Sequence, residues 1–209
     1  MRFVPATVLA CALSVVACSS SEADGQGSFA AAGDPSAASG ARTLHEAEST
    51  CPAVPAGVSV GLRKGEQIPE LIVQDCDGNK VSLAALCGNA ATWLYLVHGW
   101  CPHVRAVSTF AESLHQSLAP RGLASVHVMV ENDDHRAPTA EDCKAWQARW
   151  GLSGVQLYFD QTGTAKGLMD SDRTSVSSFL DATLVITDKT LSDDETTLRS
   201  KLEGLLSRR

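Results

Sequence analysis

The stretch Thr92-Trp93-Leu94-Tyr95-Leu96-Val97 constrains this chain most. Its aromatic, β-branched and leucine side chains leave no polar face for water. A run of this kind is expected as a strand buried on both sides of a sheet. It leads directly into His98-Gly99-Trp100-Cys101-Pro102. Beyond that turn Val104, Val107, Phe110, Leu114 and Leu118 recur at helical spacing. Pro102 suits the first helical position, and Pro120 with Gly122 stops the helix. A buried strand, a tight turn and an amphipathic helix therefore stand at the centre of the fold.

The flanking segments extend the pattern. Leu71-Ile72-Val73 reads as a short strand, Asp77-Gly78 as a turn, and Lys80-Val81-Ser82-Leu83 as a returning strand. Leu123 to Val130 is the next strand, followed by the polar loop Glu131-Asn132-Asp133-Asp134-His135, read as solvated. Thr139 and Asp142 form a capping box for a helix carrying Cys143, Trp146 and Trp150 on one face. Val155–Asp160 and Ala182–Thr187 read as two more strands. Ser192 and Glu195 read as a second capping box, opening a last helix striped by Leu198, Leu202 and Leu205. Strands alternating with helices define an α/β layer structure with a largely parallel central sheet.

The first residues are different in kind. Arg2 precedes an apolar segment from Val4 to Val16, too short to span a bilayer as a helix. Val15-Val16-Ala17-Cys18 resembles the bacterial lipobox, in which small residues precede a cysteine that receives lipid. Residues 1–17 are thus expected as a lipoprotein signal peptide. Residues 18–50, rich in Ser, Ala and Gly, are expected as the lipid-bearing cysteine and a flexible linker. The folded part is then 51–209. Such a chain is exported and lipid-anchored in the bacterial cell envelope, on the periplasmic side or at the outer membrane.

Charge excludes one class of function. Asp and Glu number 24 against 17 Lys and Arg, and the formal net charge is -7. Nucleic-acid binding needs a basic face, so no nucleic-acid partner is expected. No P-loop spacing is present, and no cofactor is implied.

Cys101 is the leading chemical candidate. At the start of a helix, unpaired backbone N–H groups and the positive helix end favour a thiolate and depress the thiol pKa. His103 adds to this when protonated, and Trp100 flanks the sulfur. The segment WLYLVHGWCPHV, preceded by GEQIPELIVQDCDGNKVSLAALCG, resembles the redoxin branch of the thioredoxin-like superfamily over roughly residues 65–207. The resemblance implies a central mixed β-sheet flanked by helices, with residues 51–209 as a thioredoxin-like domain. It also implies thiol–disulfide exchange with protein thiols and disulfides of the cell envelope, the membrane being reached through the N-terminal lipid. Trp100, Cys101 and Pro102 match the first half of that family's active site.

The departures bear on function. Val104 stands where the family carries its second cysteine. Ala182 aligns with the cis-proline that the family places just before its penultimate strand. The strand expected between Asp188 and the last helix looks shortened or lost. Peroxiredoxins, close fold relatives, carry proline and Thr or Ser where this chain has Leu94 and His98, which disfavours peroxide reduction. A peroxidase using a distant resolving cysteine stays open as an alternative. So do an inactive binding or structural lipoprotein, and a Cys/His metal site of Cys101 with His98 and His103. No metal is the leading expectation.

Of the seven cysteines, Cys11 falls in the leader and Cys18 takes lipid. Cys51, Cys76, Cys87, Cys101 and Cys143 remain, an odd number. Cys76 and Cys87 could pair across the hairpin, and Cys51 could take either of them. Cys143 reads as a buried inert thiol or as a resolving partner for Cys101.

Overall fold

The computed structural model describes residues 51, 54–169 and 175–208. The signal segment, Cys18 and the linker expected over residues 1–50 lie outside the described residues. Among the described residues seven strands form one mixed sheet: β1 Ile72–Asp75, β2 Lys80–Ser82, β3 Ala91–His98, β4 Leu123–Glu131, β5 Gln156–Phe159, β6 Val176–Leu180 and β7 Ile186–Thr190. The α-helices among the described residues, α1 Pro102–Leu118, α2 Ala140–Trp150 and α3 Glu195–Leu206, complete the frame.

The strand order is β2-β1-β5-β4-β3-β6-β7. Strands β3, β4 and β5 pair in parallel, while the remaining pairs are antiparallel. All eight residues of β3 are buried, as its composition requires. The chain steps from β3 to β4 to β5 in one direction across the sheet. Right-handed crossovers then put α1 and α2 on the same face. There Val104, Val107, Ala111 and Leu114 of α1, Cys143 and Trp146 of α2, and Leu198 and Leu202 of α3 pack on Trp93, Tyr95, Val97 and Phe179. The opposite face, with Leu94, Leu96, Val126, Val128 and Tyr158, is covered by Ile68, Leu71, the 3-10 turn Leu83–Leu86 and Leu168.

Local signals held where polar atoms close a helix. Thr139 and Asp142 make the capping box of α2. The cap of α3 falls at Asp194, whose carboxylate accepts from the Thr197 N–H at 2.7 Å, so the box expected at Ser192 and Glu195 is displaced.

The Ala182–Thr187 strand is a correction. Asp181 accepts the backbone N–H groups of Thr183 and Val185 at 2.9 and 3.0 Å, which bends residues 181–185 into a turn between β6 and β7. Leu184 sits there at φ 61°. The penultimate strand is Val176-Ser177-Ser178-Phe179-Leu180, fully buried despite its serines. Ser177 is satisfied by the Trp93 indole N–H at 3.0 Å. The terminal strand that the sequence suggested was lost is present as β7, paired with β6.

The cysteine pairing is a second correction. Cys51 bonds Cys87, and Cys76 bonds Cys143, with Cα–Cα separations of 5.3 and 5.2 Å. Cys76 and Cys87 lie on opposite faces of the sheet. Cys76 packs against the core under the helices, and Cys87 belongs to the core on the other side. They cannot meet. Cys143, in the first turn of α2, is the partner on Cys76's side, so it is neither an inert thiol nor placed to resolve Cys101.

Candidate functional site

Strand β3 ends at His98, and Gly99-Trp100-Cys101 turns the chain into α1. The turn closes through the Cys101 N–H, which donates to the His98 carbonyl at 3.0 Å. Cys101 is the N-cap of α1, with extended backbone angles, and Pro102 follows at the first helical position. The sulfur therefore stands at the end of a helix whose first N–H groups have no partner within it. Cys101 takes part in neither disulfide, and its residue is only 2% exposed. Val104, where a second cysteine would stand, is buried in the core beneath α1.

A second segment holds this turn from the side. The Gly99 N–H donates to the Glu131 carbonyl at 2.9 Å, at the end of β4. The Trp100 indole N–H donates to Glu131 Oε2 at 2.8 Å. His98 Nε2 lies 3.7 Å from the same oxygen, and the Lys166 ammonium meets Glu131 Oε1. Burial pushes the Glu131 carboxyl pKa up, but the hydrogen bonds from Lys166 and Trp100 and the charge of His98 outweigh it and hold it below its ordinary value. His135, in the left-handed region at φ 60°, stacks on Trp100 with ring centroids 4.4 Å apart. Arg105 of α1 donates from Nε to the Gly99 carbonyl at 3.0 Å and faces Asp133. A side chain at Gly99 would meet Asp133 Oδ1 at 2.7 Å and its backbone nitrogen at 2.9 Å, so only glycine allows this contact.

Beneath the turn lies Tyr95. Burial raises its phenol pKa far above the ordinary value, a hydrogen bond with the Ser175 side chain opposes this, and negative charge on Cys101 and Asp193 adds to the rise. Tyr95, Ser175, Cys101 and Asp193 thus share one neighbourhood. Ser175 immediately precedes β6, the position at which the family resemblance expects a cis-proline. Ala182 does not hold that place: it lies in the β6–β7 turn, where its carbonyl accepts from the Gly88 N–H. The described residues contain no cis peptide bond.

His103, expected to tune Cys101, is engaged with a carboxylate. His103 has a 67% exposed side chain and binds Asp193 through Nδ1 at 2.6 Å. That contact, foremost, lowers the Asp193 pKa. With His103 on Asp193 and His98 beside Glu131, the proposed Cys101–His98–His103 metal set does not assemble. The described residues hold no group of three or more His, Cys, Asp or Glu placed to bind a metal.

Sequence reading passed over Glu131, His135, Tyr95 and Ser175. One available signal was the position of the 131–135 loop at the carboxyl end of a parallel strand, where α/β sheets place their sites. Sequence reading also takes the G-x-S-x-G spacing of a nucleophile elbow as absent, and Gly57-Val58-Ser59-Val60-Gly61 corrects that. Ser59 stands on no strand-to-helix turn, and its hydroxyl donates to Glu66 at 3.4 Å.

A mixed sheet with a cysteine capping the helix after its central strand defines a thioredoxin-like protein of the redoxin type. Residues 64–192 match the family model described as AhpC/TSA family, and the chain belongs to that family. No curated protein matches the sequence. Among solved structures, an uncharacterized conserved protein from Geobacillus kaustophilus is 22% identical with a TM-score of 0.60, covering 71% of this chain and 85% of its own. A thiol:disulfide interchange protein from Bacteroides sp. is 18% identical with a TM-score of 0.58, covering 69% and 91%. A peroxiredoxin-like protein from Aquifex aeolicus is 11% identical with a TM-score of 0.55, covering 71% and 90%. At these identities the likeness is one of fold.

Proposed function

We propose that the protein is a thiol–disulfide exchange protein acting through Cys101 alone. The observation that carries this reading is the position of Cys101: it caps α1 at the end of the central strand, while the other four domain cysteines are consumed in disulfides. The Cys101 thiolate attacks one sulfur of a substrate disulfide. A Cys101–substrate mixed disulfide forms, and the second substrate sulfur leaves as a thiolate. A thiol from outside the chain then attacks the mixed disulfide, bonds the substrate sulfur and returns Cys101 as thiolate. No electrons are gained or lost overall. The outside thiol is required because Val104 offers no sulfur and Cys143 is bonded to Cys76.

The two disulfides suit an oxidising compartment. This agrees with export through residues 1–17 and a lipid tether at Cys18, leaving the domain at an envelope membrane. No helix among the described residues is long and apolar enough to cross a membrane. Mass spectrometry of the mature N-terminus tests the tether: an unmodified terminus elsewhere than Cys18 refutes it.

One observation favours a second reading, a binding scaffold without turnover: Cys101 is buried. Disulfide exchange assayed with glutathione as the outside thiol separates the two. Exchange that vanishes in Cys101→Ser, with the mixed disulfide trapped on Cys101, supports the first reading. Equal rates for wild type and Cys101→Ser leave the scaffold.

A further inference from the structure

Glu131 emerges as part of the site although it neither reacts nor sits in the motif. Its backbone and side chain together make two of the contacts that fix the residues before Cys101. The carbonyl takes the Gly99 N–H, and Oε2 takes the Trp100 indole N–H at 2.8 Å. The same carboxylate is held by Lys166 from the far side and faces the buried His98. Its side chain is 17% exposed, so these bonds are largely shielded from solvent. His135, four residues further along, presses its ring on the indole. The segment from Glu131 to His135 is therefore a clasp over the turn from His98 to Cys101. With Cys101 2% exposed, a disulfide meets the sulfur only when this turn loosens.

We propose that Glu131 is a positioning residue for Cys101: by fixing the Trp100 indole at the carboxyl end of β4, it sets how often the Cys101 sulfur becomes accessible. This rests on the reading of Cys101 as the reactive thiol, and it deepens that reading. The partner it controls is any thiol-reactive molecule that must pass Trp100. Local opening rises when a shielded, charge-assisted hydrogen bond is lost, without global unfolding.

The test measures iodoacetamide labelling of Cys101 in the native, disulfide-intact protein. Such labelling follows the open population when closing is faster than reaction. Glu131→Ala is expected to label about tenfold faster than wild type, from the loss of one charge-assisted hydrogen bond. Glu131→Gln keeps an oxygen acceptor for the indole and is expected to restore labelling to within about threefold of wild type. Val81→Ala, on the opposite core, controls for general destabilisation and is expected to leave the rate unchanged. An unchanged rate in Glu131→Ala overturns the proposal. So do equal rates in the Ala and Gln variants, or an equal acceleration in Val81→Ala. Labelling does not need turnover, so a failure of disulfide exchange would sink the proposed activity and leave this result standing.

Discussion

His127 is the residue whose perturbation tests the packing most sharply. It lies on β4 with no exposure, between the rings of Trp93 and Tyr95 at 5.1 Å from each. Neither ring nitrogen has a hydrogen-bond partner among the described residues. Burial, and then the nearby His115, push its pKa down from 6.5 to about 3, while Glu112 opposes the fall. The folded state thus holds His127 neutral, and the unfolded chain protonates it near 6.5. This stabilisation is complete above the unfolded value and is lost as pH falls toward the folded value. Between pH 7 and pH 4 the loss is about 3 kcal/mol, from 1.36 kcal/mol per unit over the part of the interval below 6.5. His127→Leu removes the titration and the two unpartnered nitrogens while keeping an apolar side chain of similar size. Urea unfolding of both proteins, followed by far-ultraviolet circular dichroism at several pH values, gives the difference in stability. The variant is expected to gain about 3 kcal/mol on wild type between pH 7 and pH 4, since acid-sensitive groups distant from His127 cancel in the difference. A difference that stays constant with pH would refute a neutral buried His127.

Three further outcomes follow from a carboxylate near His127 and from the two disulfides. Glu112 accepts the Ser153 hydroxyl at 2.7 Å and the N–H groups of Ser153, Gly154 and Val155 at 2.9 to 3.1 Å. Burial raises its pKa, but these bonds prevail and bring it from 4.5 to about 2, so its stabilisation is present above 4.5 and fades as pH falls toward 2. After allowance for solvent screening, Glu112→Gln is expected to cost about 1–2 kcal/mol at pH 7 and progressively less below pH 4.5, again read by urea unfolding; equal stability at pH 7 refutes it. Peptide mapping without reductant is expected to recover the 51–87 and 76–143 pairs, and a 76–87 peptide overturns the assignment of faces. Replacing both Cys51 and Cys87 by serine is expected to cost about 4 kcal/mol in the chain-entropy account, for a separation of 36 residues.

The parts of this fold that are written in local sequence were legible. The all-apolar β3 run, the helical stripe of α1 and the Thr139–Asp142 box each carry their own signal. Strand β6 carries none: Val-Ser-Ser-Phe-Leu reads as half polar, because its serines are satisfied by groups distant in sequence, such as the Trp93 indole. Missing β6 moved the register of the last strands by about half a hairpin and put Ala182 where Ser175 belongs. Disulfide partners were equally out of reach, since pairing depends on which face each cysteine meets. Cys101 was legible because strand end and helix start are local features. Glu131 was not, because nothing near it in sequence says that Trp100 will lie beside it.

The division of the sheet's two faces also bears on why the domain spends four cysteines on staples. Consecutive right-handed steps from β3 to β5 place α1 and α2 on one side, and α3, after β7, packs on the same side. Among the described residues, the other side has irregular chain and short 3-10 turns to cover Leu94, Leu96 and Val126. Irregular segments bury less apolar surface per ordered residue than a helix does, so they hold their place weakly. Cys51–Cys87 ties such a segment to the turn beneath it, on the face that lacks helices. Cys76–Cys143 serves the other weak point, anchoring the two-strand β1–β2 hairpin at the sheet edge to α2. With both bonds committed to these tasks, Cys101 at the junction of β3 and α1 is the one domain cysteine left outside a disulfide, which is what the proposed exchange reaction requires.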